Sequence, residues 1–327
     1  MDHDPSGDLP DDWRELPLPW PVSTGGWSHA DVAVTPAGEL LTCHPDGGAL
    51  VRVAADGTVT TVPAPITEAH GLTVVGDRVW VADVGMKFLP DKTGTYGEAG
   101  PGEGQVVQLD LDGQLLGRLP YPPTTSAAPY LPTSVIEDES GQVWVADGYG
   151  ASELHRFDAT GDYLGTLTGE ESAAGRLDCP HALHLDERSG EPELYVADRA
   201  RHRLVVFGLD GEFRREVAAG ELNLPSAMAT LGDLLVVAEL HGRVTVLDGN
   251  DKVVGRSGAD PAAPQRVGWP NGLDVEGRYG RPHDLPPASL NSPHGIVVDA
   301  QGRLVVSEWL IGGRLLSPVA PIDTWTE

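Results

Sequence analysis

Residues 131–169, LPTSVIEDESGQVWVADGYGASELHRFDATGDYLGTLTG, and residues 179–207, CPHALHLDERSGEPELYVADRARHRLVVF, decide the fold of this chain. Each stretch has an apolar strand beside a proline, a tight polar turn, and a second strand that ends in Val-Ala-Asp. A third strand that ends in phenylalanine follows in both. Two copies of one pattern indicate an internal repeat, which must be identified before other features are interpreted.

The same pattern recurs along almost the whole chain. Its units start near six positions: His29, His70, Thr133, His181, Ser226 and His294. The second strands are rich in Val, Leu, Trp and Tyr in alternation, which is typical of half-buried β-strands. Turns such as Leu-Asp-Gly then join a third strand to a fourth, because glycine accepts the positive φ of a tight hairpin. The repeat predicts an all-β fold, a six-bladed β-propeller.

The sixth unit runs out of chain after Arg314, so its fourth strand is missing from the pattern. We expect the segment Glu15–Val22 to supply that strand, because closing the last blade with an N-terminal strand removes a free sheet edge. The sequence thus predicts a flexible segment over residues 1–14 and one propeller domain over residues 15–327.

The net charge of the chain argues against anionic partners. The chain has 22 Lys and Arg against 49 Asp and Glu, a net charge of −27. Such a surface repels phosphates, so we expect neither nucleic acid nor a membrane as a partner. The N-terminus MDHDPSGDLPDDW lacks the basic start and apolar centre of a signal peptide. Cys43 and Cys179 form no evident disulfide framework. We therefore expect a cytoplasmic monomer.

The long connections share one face of the predicted propeller. In such a blade, the second-to-third strand connections and the blade-to-blade connections lie on the same side. All long segments belong to these two classes: Gly85–Gly104, Pro120–Leu131, Gly169–Pro180 and Ser257–Ser292. A scaffold that elaborates one face places function there. We expect Gly85–Gly104 and Ser257–Ser292 to cover the channel mouth.

Histidine opens three well-matched units, at His70, His181 and His294. First strands line the central channel, so these side chains are predicted to converge. Three neutral imidazoles with a water form a catalytic zinc arrangement. The alternative is that each histidine only caps a turn. His29 lies one residue out of register, and the roles of His29, His241 and His283 are left open.

Acidic residues end five of the second strands: Asp83, Asp147, Asp198, Glu239 and Glu308. We expect them to accept backbone N–H bonds in the turns. The residues that follow vary and point toward the same face. Tyr149 and Arg199 therefore place a phenol and a guanidinium at the channel mouth, although each alone is also an ordinary rim residue.

The chain resembles the NHL type of propeller and, more closely, the peptidyl-α-hydroxyglycine α-amidating lyases. The shared motifs are AHGL at 69–72, VADGYG at 145–150, CPHAL at 179–183, VADR at 196–199 and SPHGI at 292–296. The resemblance implies a lyase that cleaves the C–N bond of an N-acyl carbinolamine, with a small-molecule or peptide-derived substrate. It implies zinc or a similar divalent metal on His70, His181 and His294. It also implies Tyr149 as the base, with a pKa lowered by the metal and a cation, and Arg199 for substrate or Tyr149 activation.

Two departures from the family pattern matter. The family has a catalytic arginine in its first blade, whereas GGWSHAD at 25–31 has none, and Arg281 is a candidate substitute for binding substrate. The family also has an aspartate of a calcium site after its third histidine, where this chain has Gly295. Calcium is therefore left open. Two alternatives to a lyase remain: a propeller lactonase or other hydrolase, which relies on carboxylate and asparagine ligands, and a non-catalytic NHL binding module.

Overall fold

The structure is a computed structural model that describes residues 7–9, 12–21, 23–98, 102–123 and 126–320. Six antiparallel sheets are arranged as the blades of a propeller, which confirms the predicted fold. The first strand of each blade contacts the first strand of the next, and Pro293–Val298 of the sixth blade contacts Ala33–Val34 of the first. The ring is thus closed around a channel lined by first strands.

The first three blades each have four strands in chain order. Blade 1 comprises Ala33–Val34, Leu40–Cys43, Ala49–Val53 and Val59–Pro63. Blade 2 comprises Ala69–Val75, Arg78–Asp83, Gln105–Asp110 and Leu115–Arg118. Blade 3 comprises Ser134–Glu137, Val143–Asp147, Glu153–Phe157 and Tyr163–Leu167.

The last three blades follow the same plan, with additions from the N-terminal region. Blade 4 comprises Pro180–Asp186, Glu193–Asp198, Arg203–Gly208 and Phe213–Val217. Blade 5 comprises Pro225–Leu231, Leu234–Glu239, Arg243–Leu247 and Val253–Ser257, with Gly7–Asp8 added in parallel. Blade 6 comprises Pro293–Val298, Leu304–Glu308, Arg314–Pro318 and the N-terminal strand Trp13–Glu15.

The remaining regular elements are short. Two small hairpins, Phe88–Pro90 with Tyr96–Glu98 and Gly272–Leu273 with Tyr279–Gly280, lie within long connections. The helical segments of the described residues are two 3-10 turns, Arg199–Arg201 and Ala263–Gln265. In this part of the chain, no helix has the length and apolarity needed to cross a membrane. Both cysteines are free, Cys43 buried and Cys179 half-buried.

The core lies between the blades. One cluster joins Val81 and Leu109 of blade 2 to Leu41 and Leu50 of blade 1. Further clusters fill the interfaces between blades 2 and 3, 3 and 4, 4 and 5, and 5 and 6. Apolar burial thus stabilises five of the six blade interfaces, and blades 6 and 1 are in contact through their first strands.

An N-terminal strand closes blade 6, as predicted, but its position differs. Trp13–Glu15 pairs antiparallel with Arg314–Pro318, so only Glu15 of the predicted Glu15–Val22 belongs to the strand. Prolines at 17, 19 and 21 explain the difference, because proline has no N–H to donate to a ladder. Residues 7, 8, 13 and 14 of the segment 1–14 pair with blades 5 and 6, so the propeller begins before residue 15. Val22 and residues 1–6, 10 and 11 lie outside the described residues, and the flexibility predicted for the rest of the segment stays a prediction.

Carboxylates at the ends of second strands hold the segments that enter the blades. Asp83 accepts from the backbone N–H groups of Thr67 at 2.9 Å and Glu68 at 2.7 Å. Asp198 accepts from the N–H of Asp178 at 2.7 Å. The predicted carboxylate–backbone bonds are confirmed, and most of the donors lie in the chain before the blade's first strand. In blades 2 to 6 the start of the first strand is thus fixed to the end of the second.

Trp13 offers a test of the closure. Its side chain is 3% exposed, packs in the cluster between blades 5 and 6, and donates Nε1–H to Ser257 Oγ at 3.0 Å. We expect Trp13→Ala to lower the free energy of unfolding by about 3–5 kcal/mol, the usual cost of a large cavity. Urea unfolding measures it. Val319→Ala, at an exposed neighbouring position, should change the same quantity by less than about 0.5 kcal/mol. Equal effects of the two substitutions would contradict the closure.

Candidate functional site

Each predicted metal ligand lies at a β-bulge at the start of a first strand. Ala69 pairs with Asp83 and Gly71 with the adjacent Ala82, so His70 is the extra residue between them. His294 is the extra residue in the same way, and the register of blade 4 shifts by one residue around His181. A bulge re-aims the side chain of its extra residue. The bulges direct the histidines into the channel. The repeat pattern in the sequence does not reveal these bulges.

The structure brings together four histidines rather than three. His70 lies with its ring centroid 4.5 Å from that of His181 and 4.6 Å from that of His294, and the last two are 4.8 Å apart. His29 joins them at 4.6 Å from His70 and 4.7 Å from His294. Ligand atoms of His29, His70 and His294 all lie within 4.8 Å of one another. We call His29, His70, His181 and His294 the four-histidine cluster.

Backbone carbonyls fix the tautomers of two of these rings. Nδ1 of His70 lies 2.6 Å from the carbonyl oxygen of Thr133, and Nδ1 of His181 lies 2.7 Å from that of Ser226. A carbonyl oxygen only accepts, so Nδ1 carries the hydrogen and Nε2 has the lone pair. Burial lowers the pKa of all four imidazoles well below the ordinary value, so the rings are neutral. Neutral imidazole is the form that binds metals.

The lone pairs of the cluster exceed the hydrogens available to them. Nε2 atoms of His29 and His70 lie 3.1 Å from the hydroxyl of Tyr149, and Nε2 of His181 lies 3.2 Å from it. One hydroxyl has one proton and can donate to one of these nitrogens. Both ring nitrogens of His294 are buried without a hydrogen-bond partner. A cation at the cluster satisfies this surplus of acceptors, so the residues present fit a divalent metal.

Tyr149 and Arg199 lie together at the cluster. The guanidinium of Arg199 donates from Nη1 to the Tyr149 oxygen at 3.3 Å and lies 5.2 Å from the ring centroid. Burial raises the pKa of Tyr149, and the charge of Arg199 opposes that rise without cancelling it. The protein groups alone therefore do not produce the lowered pKa of Tyr149 that the resemblance implies. Without a further cation the phenol is neutral.

Arg281 lies apart from these groups. Its Nη1 donates to the carbonyl oxygens of Ile311 and Gly313, and its Nη2 lies 3.7 Å from a carboxylate oxygen of Glu15. None of these described contacts involves the four-histidine cluster or Tyr149. A role for Arg281 in binding substrate stays a prediction.

Steric crowding explains why glycine follows the third histidine. A Cβ at position 295 would lie 2.3 Å from Oδ1 of Asp31, so the carboxylate of Asp31 takes up the space of a side chain there. Asp31 is held by the backbone, since its N–H donates to the carbonyl of His70 at 2.8 Å. Burial raises the pKa of Asp31 to about 7. The departure from the family pattern at Gly295 thus accompanies a carboxylate supplied from blade 1.

Aromatic residues lie beside His29. Trp27 has its ring centroid within 6.2 Å of those of Phe88, Tyr96, Tyr279 and Trp309. Trp309 in turn stacks on His29 at 5.8 Å. We call these five aromatic residues the aromatic cover. Phe88 and Tyr96 come from Gly85–Gly104 and Tyr279 comes from Ser257–Ser292, so both long segments contact Trp27. That they cover the channel mouth and hold substrate stays a prediction. Residues 99–101 of the first segment lie outside the described residues.

Two further histidines whose roles the sequence leaves open lie elsewhere. His241 packs against Trp269 with ring centroids 5.4 Å apart, and His283 is exposed. Neither belongs to the four-histidine cluster. His29 is the site residue that the repeat pattern missed. It precedes the first strand of blade 1 in an irregular segment, so the register of the repeat does not align it with the others.

Comparison with known proteins points to one kind of enzyme. Part of the chain is 32% identical over 165 residues to peptidylglycine α-amidating monooxygenase of Rattus norvegicus, covering 45% of this chain and 14% of that protein. It is 28% identical over 183 residues to a probable peptidyl-α-hydroxyglycine α-amidating lyase of Caenorhabditis elegans, covering 52% of this chain and 51% of that protein. The chain resembles the amidating lyases. It spans about half or less of the length of these relatives, and no family model matches it.

Solved structures agree on the fold. A streptogramin B lyase superimposes with a TM-score of 0.58 and 12% identity, covering 94% of this chain and 96% of that one. A virginiamycin B lyase from Staphylococcus aureus gives a TM-score of 0.55 and 14% identity over 93% of this chain and 98% of that one. At such identities the likeness concerns the propeller and not the chemistry. The amidating-lyase resemblance therefore rests on the sequence matches and the shared motifs.

The cluster makes metal binding testable with a matched pair on one strand. His181 belongs to the cluster, whereas His184 on the same strand contacts Thr230 Oγ1 at 2.7 Å, outside it. We expect His70→Ala, His181→Ala and His294→Ala each to lose most of the bound metal, and His184→Ala to keep it. Elemental analysis of untagged protein after dialysis gives the metal per chain. Unchanged metal content in all three cluster variants would place the metal elsewhere.

Proposed function

We propose that this protein is a divalent-metal-dependent lyase of the amidating-lyase type. Its substrate class is an N-acyl carbinolamine, in which a hydroxyl and an amide nitrogen share one carbon. The observation that carries the proposal is the convergence of three imidazole Nε2 atoms and the Arg199 guanidinium on the Tyr149 hydroxyl. His70, His181 and His294 would hold the metal, and zinc suits imidazole ligands.

The protein groups provide a base and a charge beside it. When bound, the metal lowers the pKa of a hydroxyl that it contacts. Tyr149 accepts the proton of the substrate hydroxyl as the carbonyl forms and the C–N bond breaks. The electron pair of that bond leaves with the amide nitrogen, which takes up a proton, so the products are an amide and a carbonyl compound. Arg199 supports the negative charge on the Tyr149 oxygen before the transfer, because it donates an N–H to that atom.

The burial of the site favours this chemistry. Tyr149 is half-buried, and it lies beside an arginine and among neutral imidazoles, of which His70, His181 and His294 are buried. In such surroundings a charge interacts more strongly with its neighbours than it does in water. A lactonase with carboxylate and asparagine ligands fits less well, because the side chains that converge on Tyr149 are imidazoles.

Replacement of Tyr149 by phenylalanine tests the base. Tyr149→Phe keeps the ring and removes the hydroxyl, so metal content and fold should persist. We expect kcat on α-hydroxyhippurate to fall by about 10²–10⁴-fold, the usual contribution of a positioned base. Tyr163→Phe is the control, because the Tyr163 hydroxyl contacts Thr166 on an outer strand at 2.6 Å, and it should leave kcat unchanged.

Two outcomes would count against the proposal. A Tyr149→Phe variant with the full rate would show that the hydroxyl takes no part in the reaction. A wild-type protein that binds metal but acts on no carbinolamine would favour the non-catalytic binding module.

A further inference from the structure

A buried chain of charged groups ends at His29. The ammonium of Lys87 forms an ion pair with Oε2 of Glu68 at 2.5 Å, and Oε1 of Glu68 lies 3.2 Å from Nδ1 of His29. The side chains of Lys87 and Glu68 are 6% and 2% exposed. The chain has three lysines in all, at 87, 92 and 252. One of the three, Lys87, is buried near the cluster. A buried charge is costly unless it is paired with an opposite charge.

The backbone holds this chain of groups in place. Lys87 Nζ also donates to the carbonyl oxygen of Trp27, two residues before His29, at 2.7 Å. Glu68 is fixed through its own N–H, which donates to Asp83. Glu68 lies two residues before His70. Glu68 is thus anchored at the start of the strand that carries His70, and its carboxylate contacts His29.

The ring of His29 has a defined plane and direction. It stacks on Trp309, at 5.8 Å and an interplanar angle of 30°, and on Tyr149, at 5.7 Å and 21°. The carboxylate of Glu68 at Nδ1 favours a hydrogen on that nitrogen, which leaves the lone pair on Nε2. This is the tautomer that carbonyl oxygens impose on His70 and His181. His29 reaches it through a charged group, which makes its Nε2 a stronger donor to a metal.

We infer that Glu68, neutralised by Lys87, positions His29 as an additional imidazole ligand of the metal in the four-histidine cluster. The inference rests on the metal of the proposed function but not on the lyase reaction. Its geometric basis is that His29 lies as close to His70 and His294 as His181 does. The four imidazoles would hold the zinc ion, and a five-coordinate ion would still have a place for a substrate oxygen.

The test is a set of zinc affinities measured by competition with a chromophoric chelator at fixed pH and salt. We expect Glu68→Gln, which keeps the shape and removes the charge, to weaken zinc binding by about 10–100-fold. His29→Ala should weaken it at least as much. The double variant should bind no more weakly than His29→Ala, because Glu68 acts through His29. The visible spectrum of the cobalt-substituted protein should change in His29→Ala, since its bands depend on the ligands.

A matched control separates this role from a general effect of a buried charge. Asp186 is also a buried carboxylate paired with a cation, Arg188, at 2.6 Å, away from the cluster. Asp186→Asn should leave zinc affinity unchanged. Thermal unfolding of the metal-free variants shows whether any of them has lost its fold, and Glu68→Asp provides a milder change that should restore part of the affinity.

Several results would overturn the inference. Wild-type zinc affinity in Glu68→Gln, while His70→Ala loses the metal, would show that the carboxylate does not act on the site. Fully additive losses in the double variant, or an unchanged cobalt spectrum in His29→Ala, would remove His29 from the ligands. A wild-type protein that binds no zinc or cobalt would overturn it as well. A wild type that binds zinc and turns over no carbinolamine would count against the lyase alone.

Discussion

The structure depends on the carboxylate that ends the second strand in five of the six blades and accepts N–H bonds from the chain entering the same blade. Asp83 binds Glu68, two residues before His70; Asp198 binds Asp178, three residues before His181; and Glu308 binds Ser292, two residues before His294. Each bond fixes the start of a strand before the strand begins to pair. The bulge that follows then turns the histidine inward. The same turn geometry recurs in blades 2, 4 and 6. It thus assembles a site from residues that are far apart in sequence.

The site is built from acceptors. Four neutral imidazoles and a phenol share one proton on the Tyr149 oxygen and the donors of Arg199. In a protein interior such an excess of lone pairs is costly, because unsatisfied buried polar atoms lose their bonds to water. A cation at the cluster would remove the cost and, by attracting the phenol oxygen, would also favour loss of the Tyr149 proton. Metal binding and the proposed role of Tyr149 as a base would therefore be linked at this site.

The sequence predicts most of the fold because the repeat is local. Each strand, turn and acidic end lies within one unit of the chain, so His70, His181 and His294 could be matched by register, and Tyr149 and Arg199 by their place after an acid. The predicted N-terminal strand begins two residues too late. The alternation of leucine and proline over residues 16–19 resembles a strand, but burial and hydrogen bonding place the strand at Trp13–Glu15. His29 and Glu68 could not be predicted, since their proximity arises from packing between blade 1 and blade 2.

The aromatic cover has a kinetic consequence. Trp27 and Trp309 stack at 5.2 Å and Trp309 also stacks on His29, while Phe88, Tyr96 and Tyr279 of the two long segments pack against Trp27. A molecule that approached the cluster from this side would have to displace these rings. Motions of such segments take microseconds to milliseconds. Association from this side would then be limited by the fraction of time that the rings are apart rather than by diffusion. The same rings would slow the escape of a bound molecule and so lengthen the time that it spends near the imidazoles.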